Sequence, residues 1–282
     1  MGQKRTNSEM ADQNVSSSPF MPMFETFRKE LDEHHDRRER CIKASRDITA
    51  ASKKIIFSLQ RVRKLGQPIP MSILKNYNPF YDTIRKQYAS VSADLQGLNA
   101  HRYARNITGG NQEFIEAVSF EHYLMMQSLL PYTDAAAQLR HLGGEGGPID
   151  LSPEDYLLGI FDMTGELMRF AITSMATNGK LPGADAGSGA AGSDVMDVDG
   201  VVVRPSERNV LADMRQLRTS LESLDIAQHS PFGRDVEKKM EVMKTCVGKV
   251  ENALYGLVIR GRERPKGWMP PDEARREEVE GF

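Results

Sequence analysis

"NQEFIEAVSFEHYLMMQSLLP", residues 111–131, is apolar or aromatic at 114, 115, 117, 118, 120 and 123–126. On a helix those positions cover nearly the whole circumference, so the segment belongs inside a helical bundle and not along its surface. Glu113 and Glu116 nevertheless stand one turn apart on one face, beside Ala117 and Phe120. Carboxylates at the end of an apolar stripe need a partner, because an unpaired charge is expensive to bury.

The same oddity recurs further along. "DYLLGIFDMTGELMRF", residues 155–170, is apolar on nearly every side except at Asp162, Gly165, Glu166 and Arg169. Asp162 and Glu166 are four residues apart and share a face. Packing the two helices together would converge four carboxylates, and Gly165 would let a backbone or ligand come close. Such charges repel strongly where water is scarce, so a shared cation is the economical solution. Oxygen-only donors point to Mg²⁺ or Mn²⁺ and not to zinc. Arg169, or bases on other helices, could instead neutralise the acids without metal. A di-iron bundle would want Glu-x-x-His on two helices, and the residue three after Glu116 is Ser119.

The rest of the chain also reads as helix. With 282 residues, 39% of them hydrophobic, it can build a sizeable core as one large or two small domains. A long amphipathic helix is expected from Phe24 to Leu65, with Leu31, Ile42, Ile48, Ile55, Phe57 and Leu59 among charges. A second should run from Ser72 to Asn106, with an interruption near Asn78-Pro79 and a break at "ITGG", 107–110. "DAAAQLRHL" can form a short helix. Ser152 and Pro153 then read as N-cap and first turn of a helix that Gly179 closes. Two more are expected over 207–224 and 233–259. No run shows sustained strand alternation. The expected fold class is therefore all-α, a single elongated antiparallel bundle of about six to seven helices.

The expected organisation is a disordered arm at 1–20, a helical domain at 21–262 and a charged tail at 263–282. Within the domain, 179–205 is small, acidic and loop-like. Its Asp194, Asp197 and Asp199 lack the spacing and closing Glu of a calcium loop. With no long apolar run and no leader pattern, no membrane role is expected, and the location should be cytoplasm or nucleus. Cys41 and Cys246 are far apart without a metal-ligand motif and read as packed thiols.

Net charge is −2, but Met21 to Arg105 holds 17 Lys and Arg against 9 Asp and Glu. That part could meet phosphate. The candidates are Arg37, Arg38 and Arg40 on the first helix, together with Arg102, Tyr103 and Arg105 of "HRYAR", where the tyrosine could stack on a base.

"HDRRERCIKASRDITAASKKIIFSLQR" (35–61), "QEFIEAVSFEHYL" (112–124), "DYLLGIFDMTGELMR" (155–169) and "EVMKTCVGKVENALYGLVIRG" (241–261) together resemble the translin family. Within it they resemble the acid-bearing partner of translin and not translin itself. The likeness spans Phe24 to Gly261. It implies an all-helical subunit of a hetero-octameric shell with translin, acting as a Mg²⁺-dependent endoribonuclease on single-stranded RNA, with DNA as a further candidate partner. It further implies an E-x-x-E motif at Glu113 and Glu116, a D-x-T-G-E motif at Asp162, and a further acidic position at Glu166. On that footing Glu113, Glu116 and Asp162 would be metal ligands and Glu166 a ligand or base. The alternative is a non-catalytic nucleic-acid-binding or scaffold subunit whose acids are structural.

Overall fold

The computed structural model describes residues 19–183, 197–198, 201–202, 208–227 and 230–260. The expected arm up to residue 18, most of the acidic loop and the charged tail lie outside them. Seven α-helices are present among the described residues. They are α1 (Met21–Leu59), α2 (Met71–Val91), α3 (Leu98–Met126), α4 (Tyr132–Leu142), α5 (Pro153–Asn178), α6 (Val210–Glu222) and α7 (Pro231–Arg260). A two-residue antiparallel pair, β1 (Asp197–Val198) and β2 (Val201–Val202), lies in the acidic loop. The loop's ends meet, since Gly183 bridges Asn209 and the Val210 amide donates to the Pro182 carbonyl.

Interhelical contacts set the directions. Ser45 on α1 meets Ile107 and Gly110 on α3, and the Gly66 amide just past α1 donates to Leu124 O, so α1 and α3 run the same way. α2 returns antiparallel alongside this directly packed pair, with Tyr77 opposite Glu121 and Tyr88 opposite Asn111. α5 follows α3, from Asp155 against Asn111 to Phe170 edge-on to Phe120. α7 packs along α5, and α6 returns beside it with Arg215 paired to Glu251.

The start of α5 follows its sequence signals. The Ser152 hydroxyl accepts from the Asp155 amide, Pro153 opens the first turn, and Gly179 closes the helix with φ of 67°. Two expected interruptions are absent. Pro79 sits inside α2 on its exposed side, where the carbonyl its ring leaves without a donor can meet water. The helix also continues through Gly109-Gly110. A Cβ at Gly110 would come within 3.1 Å of Ser45 Cα, so this glycine is where α1 and α3 cross closely. The true break is at Gly97, whose φ of 57° ends the turn Ser92–Leu95 and starts α3.

The core is built from one stripe of each helix. Cys41, Ala44, Ile48, Ala51, Ile55 and Leu59 of α1 are buried. Leu31 and Phe57, expected to face inward, are exposed, and no residue of the first twenty of α1 is buried. Cys41 and Cys246 are buried free thiols.

Gly159, not Gly165, permits the α3–α5 approach: a Cβ there would lie 2.8 Å from Gln112 O, whereas one at Gly165 or Gly248 meets nothing within 4 Å. Gly159→Ala should therefore destabilise the chain by about 1–3 kcal/mol. Gly248→Ala, in the interior of α7, should stabilise it by about 0.5–1 kcal/mol. Thermal denaturation of both variants checks the pair; equal shifts would contradict this packing.

Candidate functional site

The crossing of α3 and α5 places both pairs of acids on neighbouring faces. Glu116 is 9% exposed, deep in the α3 stripe. Burial pushes its carboxyl up to about 8, and the charges of Glu113, Asp162 and Glu166 push the same way, while Lys239 pulls it back. Burial also raises Glu113, against Lys53, and Asp162 and Glu166 add to the rise. Each α5 acid is thus felt by each α3 acid. A carboxylate buried among three others has its charged form penalised twice, by lost hydration and by repulsion.

Bases from three helices answer these acids. Lys53 Nζ on α1 lies 3.8 Å from Glu113 Oε2. Arg169 on α5 lies 3.5 Å from Glu166 Oε1. Lys239 on α7 donates to Asp162 Oδ1 in a close ion pair. Gln60, the residue that caps the end of α1, holds Glu166 twice: its Nε2 donates to Glu166 Oε2 at 2.7 Å and to Glu166 O at 3.0 Å. The other end of that amide, Gln60 Oε1, is buried without a hydrogen-bond partner. Beside Glu166, Gly165 faces a groove of about 450 Å³ that Arg169, Thr245, Cys246 and Lys249 also line.

In donor chemistry this cluster fits a hard divalent cation, with all-oxygen ligands and one nine-tenths-buried carboxylate in need of positive charge. Its present side-chain arrangement does not hold one: among the described residues, no three Asp, Glu, His or Cys side chains are gathered closely enough to ligate a metal ion. The lysines and Arg169 take the carboxylates instead.

The structure redistributes the expected nucleic-acid contacts. Tyr103 is 3% exposed and its hydroxyl meets His34 Nδ1 at 2.5 Å, so the stacking role expected for it does not fit its place. Arg102 Nη1 lies 2.8 Å from His34 Nε2. Arg40 grips Asp94 with two hydrogen bonds of 2.8 and 2.9 Å, and Arg37 pairs with Glu33 and reaches the same Asp94. Arg38 and Arg105 are exposed and make no ion pair among the described residues. At 1.5 Å per residue, Arg40 lies roughly 20 Å along α1 from Lys53, so the arginines of α1 are well separated from the acids. His122 is held by the Ser128 hydroxyl.

Gln60 and Lys239 were not expected from the sequence. Gln60 offered no pattern. Lys239 did, because Val236, Met243, Cys246, Val250 and Ala253 repeat at alternating steps of three and four along α7 and are all buried, and Lys239 fills the remaining position of that seam.

The Translin family profile matches residues 36–261. The chain is 35% identical over 269 residues to Translin-associated protein X of Rattus norvegicus, covering 89% of this chain and 82% of the relative. It is 29% identical over 263 residues to the Translin-associated protein X homolog of Schizosaccharomyces pombe, covering 89% and 96%. The crystal structure described as apo-NeC3PO shares the fold, with TM-score 0.56 at 14% identity over 86% of this chain and 98% of that one.

Glu116 carries a pH signature. Its folded value near 8 lies above the ordinary 4.5, so the protonated form stabilises the fold at low pH, and this contribution is lost as pH rises through about 8. In chelator, the melting temperature of the parent chain should fall more between pH 5 and 9 than that of Glu116→Gln. Parallel pH profiles would contradict the buried placement of Glu116.

Proposed function

This chain belongs to the translin family, and on that premise we propose that it is the metal-dependent endoribonuclease subunit of a hetero-oligomer with translin, cleaving single-stranded RNA. The observation that carries the reading is the buried Glu116, whose carboxyl feels the charges of Glu113, Asp162 and Glu166. A fold has no structural need to place four acids at one helix crossing, and their mutual repulsion is a standing cost that a functional cation would offset.

Glu113, Glu116 and Asp162 are the residues that would hold Mg²⁺, or Mn²⁺ in its place. When bound, such a cation supplies Lewis acidity, lowering the pKa of a water and offsetting charge on the phosphodiester. Glu166 is pinned through one oxygen by Gln60, and its Oε1 faces Arg169. In the proposed reaction that oxygen would serve as the base, accepting a proton from an attacking water. The apolar surroundings of Glu116 keep bulk water from its carboxyl and strengthen the charge interactions it feels. Arg169 and Lys249 beside the groove, and Arg38 and Arg105 further off, offer phosphate contacts without base readout.

A second reading, a non-catalytic nucleic-acid-binding or scaffold subunit, draws on the ion pairs Lys53–Glu113, Lys239–Asp162 and Arg169–Glu166, which balance the acids with no metal. Cleavage of labelled single-stranded RNA by the assembly with translin, in Mg²⁺ or in chelator, separates the two. Asp162→Asn, or Glu113→Gln with Glu116→Gln, should lower Mg²⁺-dependent cleavage by at least about 10²-fold with assembly intact. Unchanged cleavage per folded molecule would sink the nuclease reading. Arg38→Ala and Arg105→Ala should each weaken RNA binding and reduce its salt slope by about 1.

A further inference from the structure

Lys239 occupies a position that packing alone would give to an apolar residue. The seam of α7 runs Val236, Lys239, Met243, Cys246, Val250, Ala253, and every member but the lysine is buried and apolar or a thiol. Val236 and Met243, the seam neighbours on either side, pack with Leu158 and Phe161 of α5. The Lys239 stem thus rises between apolar contacts and carries its ammonium to Asp162, the residue after Phe161. Its side chain is 26% exposed, against 65% for Lys53 at Glu113, so Lys239 is the better sheltered of the two lysine counter-charges. Its field reaches further than Asp162, since it opposes the repulsion felt at both Glu113 and Glu116. A partly buried pair of this kind adds little net stability. What it does is occupy Asp162. Among the described residues no three acids are gathered closely enough to ligate a metal ion.

We propose that Lys239 is a built-in counter-cation of the carboxylate cluster: it sits on Asp162 in the metal-free chain, and a divalent cation must displace it to bind. This rests on the reading of the acids as a metal centre. It adds that the site is self-neutralised when empty and that metal affinity is set partly by a lysine on α7.

The test is a lysine footprint of the full chain in its assembly. The protein is acylated with an amine-specific reagent in chelator or in saturating Mg²⁺ and the modified peptides are read by mass spectrometry, while Mg²⁺ binding is measured separately by calorimetry. Lys239 should be protected in chelator relative to Lys53, and its acylation should rise about fivefold or more with Mg²⁺, the change expected for release from an ion pair of about 1 kcal/mol. Asp162→Asn should unmask Lys239 without metal, and Lys239→Met should bind Mg²⁺ about fivefold more tightly. Mg²⁺ that binds the parent chain while Lys239 stays equally protected overturns the proposal and leaves the metal centre standing. Absence of Mg²⁺ binding in both the parent and Lys239→Met overturns both. Binding confined to Lys239→Met also overturns displacement, since the lysine would then block the cation and not yield to it.

Discussion

Four carboxylates at one helix crossing constrain the rest of this molecule. Glu113 and Glu116 come from α3, Asp162 and Glu166 from α5, and each pair sits on a helix otherwise made for burial. Like charges in a poorly hydrated place repel and are individually costly, so the surroundings have to answer them. Lys53 from α1, Lys239 from α7, Arg169 from α5 and the Gln60 amide do so. Three long helices thereby acquire a polar reason to meet at α5, in addition to their apolar one.

The helices are brought into register two turns before Asp162, directly ahead of Glu113. Asp155, at the start of α5, is buried and accepts hydrogen bonds from Thr108, Asn111 and Gln112 of α3. Asn111 in turn accepts from Tyr88 on α2. Gly159 lets the backbones close up one turn further on, and Asp162 follows. The site is thus built on rigid elements held by a satisfied polar network, the arrangement that fixes side-chain positions best.

The acids and the fold class were legible because both are periodic signals: two helices apolar on nearly all sides, each with a charged pair at a four-residue or three-residue step. Features that depend on contact across the fold were not. Gly109-Gly110 reads as a breaker by local propensity, but Gly110 is retained for the close approach of Ser45. Pro79 was tolerated because its side of α2 faces water. Tyr103 resembled a stacking residue among arginines, although it belongs to the buried sequence Tyr103, Ile107, Gly110, Phe114, Ala117, which a stricter count of the period would have found. Gln60 touches Glu166 across 106 residues of chain, and no local pattern could announce that.

On the proposed reading the α3–α5 crossing binds a divalent cation, and Lys53 and Lys239 neutralise its acids when no cation is bound. The most direct measurement is a crystal structure of the assembly soaked in Mn²⁺, with the metal located by anomalous scattering. A peak bounded by Glu113, Glu116 and Asp162, with Lys239 turned off Asp162, is the predicted result. A fully soaked crystal with no peak at this crossing, and with Lys239 still on Asp162, would contradict the account.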